Sequence, residues 1–162
     1  MRRYLLAGLL ALAPLAAQGD VIVGSWNIKH LGWNNDKAVG QVAHVADHFD
    51  LLAIQELMDP QALEALEREL EALSGEAWSS MASHALGRSS YEEHYGFLWR
   101  ESEVAYEDGA VVFIDHGDVF SREPYSARFR DVENDTLFTA ATVHVVYGDS
   151  VGDRLPEIAA LA

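Results

Sequence analysis

Residues 50–57, DLLAIQEL, run from four consecutive apolar side chains, Leu51 to Ile54, straight into Gln55 and Glu56. A short apolar run of this length reads as a buried strand. Its polar end places a carboxylate where the strand leaves the sheet. Upstream, Asp20 to Trp33, DVIVGSWNIKHLGW, reads as a second, mostly buried strand that is interrupted by Asn27 and ends in a turn at Gly32. Between the two, Val39, Val42, Ala43, Val45, Ala46 and Phe49 recur at a helical period. Downstream, Asp59-Pro60 forms a cap followed by a first-turn proline, and Leu63, Leu66, Leu70 and Leu73 stripe a helix that runs to Gly75. Strand, helix, strand, helix at this spacing predicts an α/β layer with crossover connections.

Beyond Gly75, residues 77–82, 94–99, 110–114, 127–129 and 136–146 read as successive strands separated by turn or charged residues. No linker, low-complexity tract or repeat divides the chain, so one domain is expected. Helices are expected on one face of its sheet, and the remaining sequence is read as supplying no second sheet for the other.

The two ends carry their own patterns. Arg2 and Arg3 precede an apolar run from Tyr4 to about Ala17, too short to span a bilayer and followed by small residues. Residues 1–19 therefore read as a secretory signal peptide with a cleavage box at Ala17-Gln18-Gly19 or at Leu15-Ala16-Ala17, and residues 20–162 as the mature part. The expected location is secreted or periplasmic, without a transmembrane segment. DRLPEIAALA, Asp153 to Ala162, reads as an amphipathic helix with Pro156 in its first turn and no closing cap, so the chain is expected to stop inside an element.

The 162 residues carry a formal net charge of −15 and no cysteine. The fold therefore does not depend on disulfides. Such an acidic surface repels nucleic acid and anionic membranes unless metal ions or a local basic site offset the field. His44 and His48 lie one helical turn apart without a surrounding HExxH pattern, and a solvated or packed helix face is the favoured reading. A Gly-rich phosphate loop and a G-x-S-x-G elbow are also absent.

Asn27, Glu56 and His144 all fall where strands run out, the position at which α/β proteins present reacting groups on a rigid scaffold. Glu56 is a candidate ligand for a hard divalent cation such as Mg²⁺. Glu93, just before the strand at 94–99, is a candidate partner that would fix the tautomer of His144. Arg122, before Pro124, could grip a phosphate bidentately.

Taken together, SWNIKHLGW, DLLAIQEL, LGRSSYEEHYGFLWR, FSREP and TVHVVYGDS resemble, in order and spacing, the N-terminal half of deoxyribonuclease I and its secreted bacterial relatives. These belong to the endonuclease/exonuclease/phosphatase superfamily. The resemblance implies a four-layer α/β sandwich of the deoxyribonuclease I type, incomplete at the C-terminus, with the site at one end of two facing sheets. It implies that Asn27 and Glu56 help hold Mg²⁺, with Mn²⁺ or Ca²⁺ as alternatives, and that Glu93 orients a catalytic His144. Arg122 would contact phosphate, and Arg88 and Tyr91 would lie against the DNA minor groove. DNA is then the expected substrate, with no stable protein partner.

The pattern departs from the family at Met58, where the deoxyribonuclease has an arginine, and in lacking the Gly-Asp-x-Asn and Ser-Asp-His motifs. The resemblance assigns to those motifs the transition-state contacts, a second metal carboxylate and another histidine. The 162-residue chain is therefore expected to be inactive or nearly so, with the inner face of its first sheet exposed to water. Two other readings stand beside the nuclease: a secreted phosphoesterase acting on a lipid headgroup such as sphingomyelin, and a non-catalytic binding remnant.

Overall fold

A computed structural model describes residues 20–34 and 37–162. The expected signal peptide, residues 1–19, lies outside the described residues. Elements follow in the order β1 (Val23–Leu31), α1 (Val39–Ala46), β2 (Leu51–Leu57), α2 (Pro60–Ser74), β3 (Trp78–Ala82), β4 (His94–Arg100), β5 (Val104–Val112), β6 (Tyr125–Asp131), β7 (Leu137–Thr142) and α3 (Val151–Ala160).

The first sheet has strand order β1-β2-β4-β3, with β1 and β2 parallel and the remaining pairs antiparallel. The α1 crossover accounts for the parallel pair. The local signals around α2 act as expected: the Asp59 carboxylate accepts a hydrogen bond from the Gln61 amide, and Gly75 ends the helix at φ 74°, a left-handed conformation that glycine adopts without a Cβ clash. Leu63, Leu66 and Leu70 of α2 and Val42, Ala43 and Ala46 of α1 pack against Leu52, Ile54 and Leu98 of the sheet.

The expectation of a missing second sheet is overturned. Strands β5, β6 and β7 form an antiparallel sheet that covers the other face of the first. Leu51, Ala53, Tyr95, Phe97 and Trp99 meet Val104, Tyr125, Ala127 and Phe129 there, and the Phe97 ring stacks on Tyr125 and meets Phe129 edge-on, both at 5.4 Å. Because β2 and β4 are covered on both sides, they carry nearly unbroken apolar runs rather than alternation.

Three local readings are corrected. β1 is an edge strand, so Ile22 and Val23 stand more than half exposed instead of buried. β5 begins at Val104, well before the expected 110, and its acidic residues face solvent on an edge. β7 ends at Thr142, which places His144 on the segment after the strand and not within a buried one. Helix α3 also starts earlier than the sequence pattern suggested. A capping box between Ser150 and Asp153 opens it at Val151, and Pro156 therefore stands inside the helix and not in its first turn.

Candidate active site

The site begins with a break in strand pairing. Asn27 pairs with Gln55 and Leu31 with Leu57, so residues 28 to 30 of β1 face Glu56 alone on β2. Lys29, His30 and Glu56 all take positive φ, at 51°, 64° and 58°. Such conformations cost non-glycine residues about 1–3 kcal/mol each and persist where surrounding structure enforces them. The bulge resets the side-chain alternation of β2. Ile54 packs toward the helices and Gln55 toward β7, yet Leu57 is again on the helix side, leaving Glu56 to emerge at the end of the sheet.

At that end the structure brings together Asn27, Glu56, Tyr91, Glu93, Arg122 and His144. Asn27 Nδ2 donates to Glu56 Oε1 at 2.8 Å and lies 3.4 Å from His144 Nε2, while Asn27 Oδ1 accepts from the Lys29 amide at 3.0 Å. His144 Nε2 is 3.7 Å from Glu56 Oε1. On its other edge, His144 Nδ1 lies 2.6 Å from Glu93 Oε1. A carboxylate only accepts, so the proton of this bond belongs to Nδ1, and Nε2 is the nitrogen turned to the Glu56 side.

Glu93 is fully buried, and its Oε2 has no hydrogen-bond partner among the described residues. Its charge is offset by His144 and by the Arg122 guanidinium, whose Nε is 3.6 Å from Oε1. Arg122 also donates from Nε and Nη2 to the His144 carbonyl at 3.2 and 3.1 Å, so it holds the backbone that carries the imidazole. Burial, followed by the nearby charges of Glu56 and Glu93, raises the Tyr91 phenol above its ordinary range, which keeps it protonated as a hydrogen-bond donor.

Arg88 is engaged elsewhere. It donates to the Asp118 carbonyl and pairs with the Asp118 carboxylate, at 2.8 Å, in the loop before β6.

Several residues of the site have no local sequence signal. The Tyr95 hydroxyl accepts from the His144 amide at 2.7 Å, and burial raises its pKa. Gln55 Nε2 donates to Thr142 Oγ1 at 2.7 Å and to Ser25 Oγ at 3.1 Å, tying β2 to the end of β7. His30 pairs with Glu56 Oε2 at 3.2 Å and extends into an aromatic wall, with ring centroids 4.9 Å from Trp33 and 6.0 Å from Tyr91. A recess flanking this wall is lined by Lys29, Asn34 and Lys37, the two lysines being the only ones in the sequence.

The Glu56 carboxylate is the kind of hard oxygen donor that a water-rich cation takes, whereas Asn27 here turns its Nδ2 to Glu56 and its Oδ1 to the Lys29 amide. Among the described residues no three His, Cys, Asp or Glu side chains converge in the manner of an all-protein metal cage. That is compatible with Mg²⁺, which keeps much of its hydration and uses one or two carboxylates.

No protein-family model matches the chain. Its sequence is 51% identical over 153 residues to a deoxyribonuclease of Thioalkalivibrio sp. (strain K90mix), covering 94% of this chain and 42% of that protein. It is 36% identical over 132 residues to human deoxyribonuclease-1-like 2 (78% and 44% covered) and 31% identical over 167 residues to human deoxyribonuclease-1 (92% and 57%). The chain thus spans about half the length of the curated relatives it matches. Among solved structures, an endonuclease/exonuclease/phosphatase protein from Bacteroides vulgatus aligns with TM-score 0.53 at 13% identity, over 86% of this chain and 56% of its own. The human Nocturnin catalytic domain with bound sulfate aligns with TM-score 0.58 at 13% identity, over 82% and 53%. Those two likenesses concern the fold alone, and the sequence relatives narrow it. The mixed sheets, the strand-end cluster around Glu56 and His144 and the deoxyribonuclease relatives agree: the chain is similar in sequence to deoxyribonucleases, those of the deoxyribonuclease-1 type included, and has the fold of endonuclease/exonuclease/phosphatase proteins.

Proposed function

We propose that this chain is the N-terminal portion of a secreted or periplasmic, Mg²⁺-dependent phosphodiesterase that cleaves DNA endonucleolytically. The observation that carries the reading is the chain Arg122, Glu93, His144, which aims Nε2 toward the Asn27 and Glu56 pair. Glu56 would hold the cation, with Asn27 adding its carboxamide oxygen once that group turns from the Lys29 amide toward the carboxylate. When bound, the cation would supply Lewis-acid stabilisation of charge on the scissile phosphate.

The chain's own residues do the remaining work. Glu93 anchors the Nδ1 proton, so the imidazole exchanges its proton at Nε2 alone. In hydrolysis a water oxygen bonds to phosphorus, the bond to the 3′ oxygen breaks, and that leaving oxygen takes the Nε2 proton of a cationic His144. Arg122, fixed on the His144 carbonyl, offers its remaining guanidinium hydrogens to a phosphate oxygen. Tyr91, with His30 and Trp33, provides a stacking surface for the sugar and base of the bound strand, and Lys29 and Lys37 supply positive charge beside it.

Half of the family's catalytic groups lie outside the motifs present here, so the 162-residue chain alone is proposed to be inactive or nearly so. The test is to assay the product of the complete reading frame with Mg²⁺ on supercoiled plasmid and on sphingomyelin. Nicking of plasmid that is lost in His144→Ala supports the nuclease. Hydrolysis of sphingomyelin without nicking would favour the lipid phosphoesterase, which the replacement of a DNA-facing arginine by Met58 mildly supports.

A further inference from the structure

Helix α3 buries an unexpected residue. Of its ten residues, Val151 to Ala160, the buried one is Glu157, at 3% exposure, while Leu155 and Ile158 stand half exposed. A helix held by packing would present leucine or isoleucine inward. Here a carboxylate is taken out of water, which is unfavourable unless its oxygens are satisfied.

They are satisfied by two backbone amides from different parts of the chain. Oε1 accepts from the Ser121 amide and Oε2 from the Val146 amide, each at 2.8 Å. Ser121 immediately precedes Arg122, and Val146 lies two residues after His144. One carboxylate therefore bridges the segment carrying the arginine to the segment carrying the histidine. The bridge is closed on its other side by the Arg122 bonds to the His144 carbonyl.

We infer that Glu157 is a positioning residue, a clamp whose two oxygens set the spacing of Arg122 and His144 and through them the aim of His144 Nε2. The role rests on the phosphate-handling reading of those two residues. Neither neighbouring residue type can replace it. Glutamine would turn an NH₂ donor toward one of the two amide donors, and aspartate is one methylene too short to reach both.

The test compares the wild-type chain with Glu157→Gln by NMR, measuring amide exchange at Ser121 and Val146 and the His144 tautomer from its ring ¹⁵N shifts. Leu70→Ala, in the helix-facing core remote from the clamp, serves as a variant destabilised by other means. The expected result is exchange at least tenfold faster at Ser121, Val146 or both in Glu157→Gln, together with loss of the uniform Nδ1–H tautomer, and neither change in Leu70→Ala. Should the glutamine variant fail to fold, Glu157→Asp is read in the same way. Unchanged exchange at both amides, a His144 tautomer that stays uniform, or the same changes in Leu70→Ala would each overturn the clamp. These signals need neither metal nor substrate, so failure of the phosphodiesterase reading would show in the plasmid assay and not here.

Discussion

Replacing Glu93 tests the buried pair on which the site is built. In Glu93→Ala the His144 Nδ1 proton loses its acceptor at 2.6 Å, and the Arg122 side chain, only 12% exposed, keeps just the His144 carbonyl as a partner. Removing one member of a buried charge pair costs about 3–5 kcal/mol. The lower end applies here, because the alanine also removes the desolvation of an oxygen, Oε2, that has no partner. Glu93→Gln keeps the shape but exchanges a charge-assisted bond for a neutral one, a loss of about 1 kcal/mol. It also places a carboxamide NH₂ donor at the position of Oε2, where no hydrogen-bond partner lies among the described residues, which adds about 1 kcal/mol. The expected losses are thus about 3 kcal/mol for alanine and about 2 kcal/mol for glutamine. Urea unfolding at pH 7, followed by tryptophan fluorescence, reads both directly. With a slope of about 2 kcal/mol per molar, the midpoints fall by about 1.5 and 1 M. Losses below about 0.5 kcal/mol in both variants would refute the reasoning, since a fully buried carboxylate paired as described cannot be removed so cheaply.

Other consequences are equally open to measurement. Glu56→Gln removes the carboxylate from the cation site, so Mn²⁺ affinity measured by electron paramagnetic resonance should fall at least about tenfold; unchanged binding would move the metal elsewhere. Trp33→Ala should weaken binding of a single-stranded oligonucleotide by about 1–3 kcal/mol in a fluorescence titration, with little effect on thermal stability because Trp33 is 42% exposed. Hydrogen bonds from Ser150 to Asp153, and from the Phe120 amide to Asp115, hold both carboxyls below their ordinary range. Their contribution to stability is therefore complete above about pH 4 and is lost as pH falls through the lowered folded-state values. Protection factors at the start of α3 and around Phe120, that is, exchange corrected for its intrinsic pH dependence, should fall on that acid limb and stay flat from pH 5 to 8.

The parts of the fold legible in the sequence are those encoded locally. Helix α2 announces itself through Asp59, Pro60, the leucine stripe and Gly75, each acting within a few residues of itself. The second sheet was not legible although its strands follow one another in sequence, because its first strand lacks a strand-like pattern. β5 runs through Glu107 and Asp108 on an exposed edge, where nothing forces an apolar alternation. The same division runs through the site. Asn27, Glu56, Glu93, Arg122 and His144 sit in recognisable motifs, and the structure brings all five together. Tyr95 acts on His144 from 49 residues away in sequence and Glu157 on Ser121 and Val146 from 36 and 11, and either could pass for a core tyrosine or a surface glutamate. The positive φ of Glu56 likewise has no signature of its own, since it is imposed by the mismatch between β1 and β2.

The most direct test of the central claim is nicking of supercoiled plasmid in Mg²⁺ by the complete reading-frame product, with wild type beside His144→Ala. The account predicts open-circular product from the wild type, abolished by EDTA, and a loss of at least about a hundredfold in the alanine variant. Nicking that survives His144→Ala at the wild-type rate would contradict it, and would return His144 to a structural role at the end of the sheet.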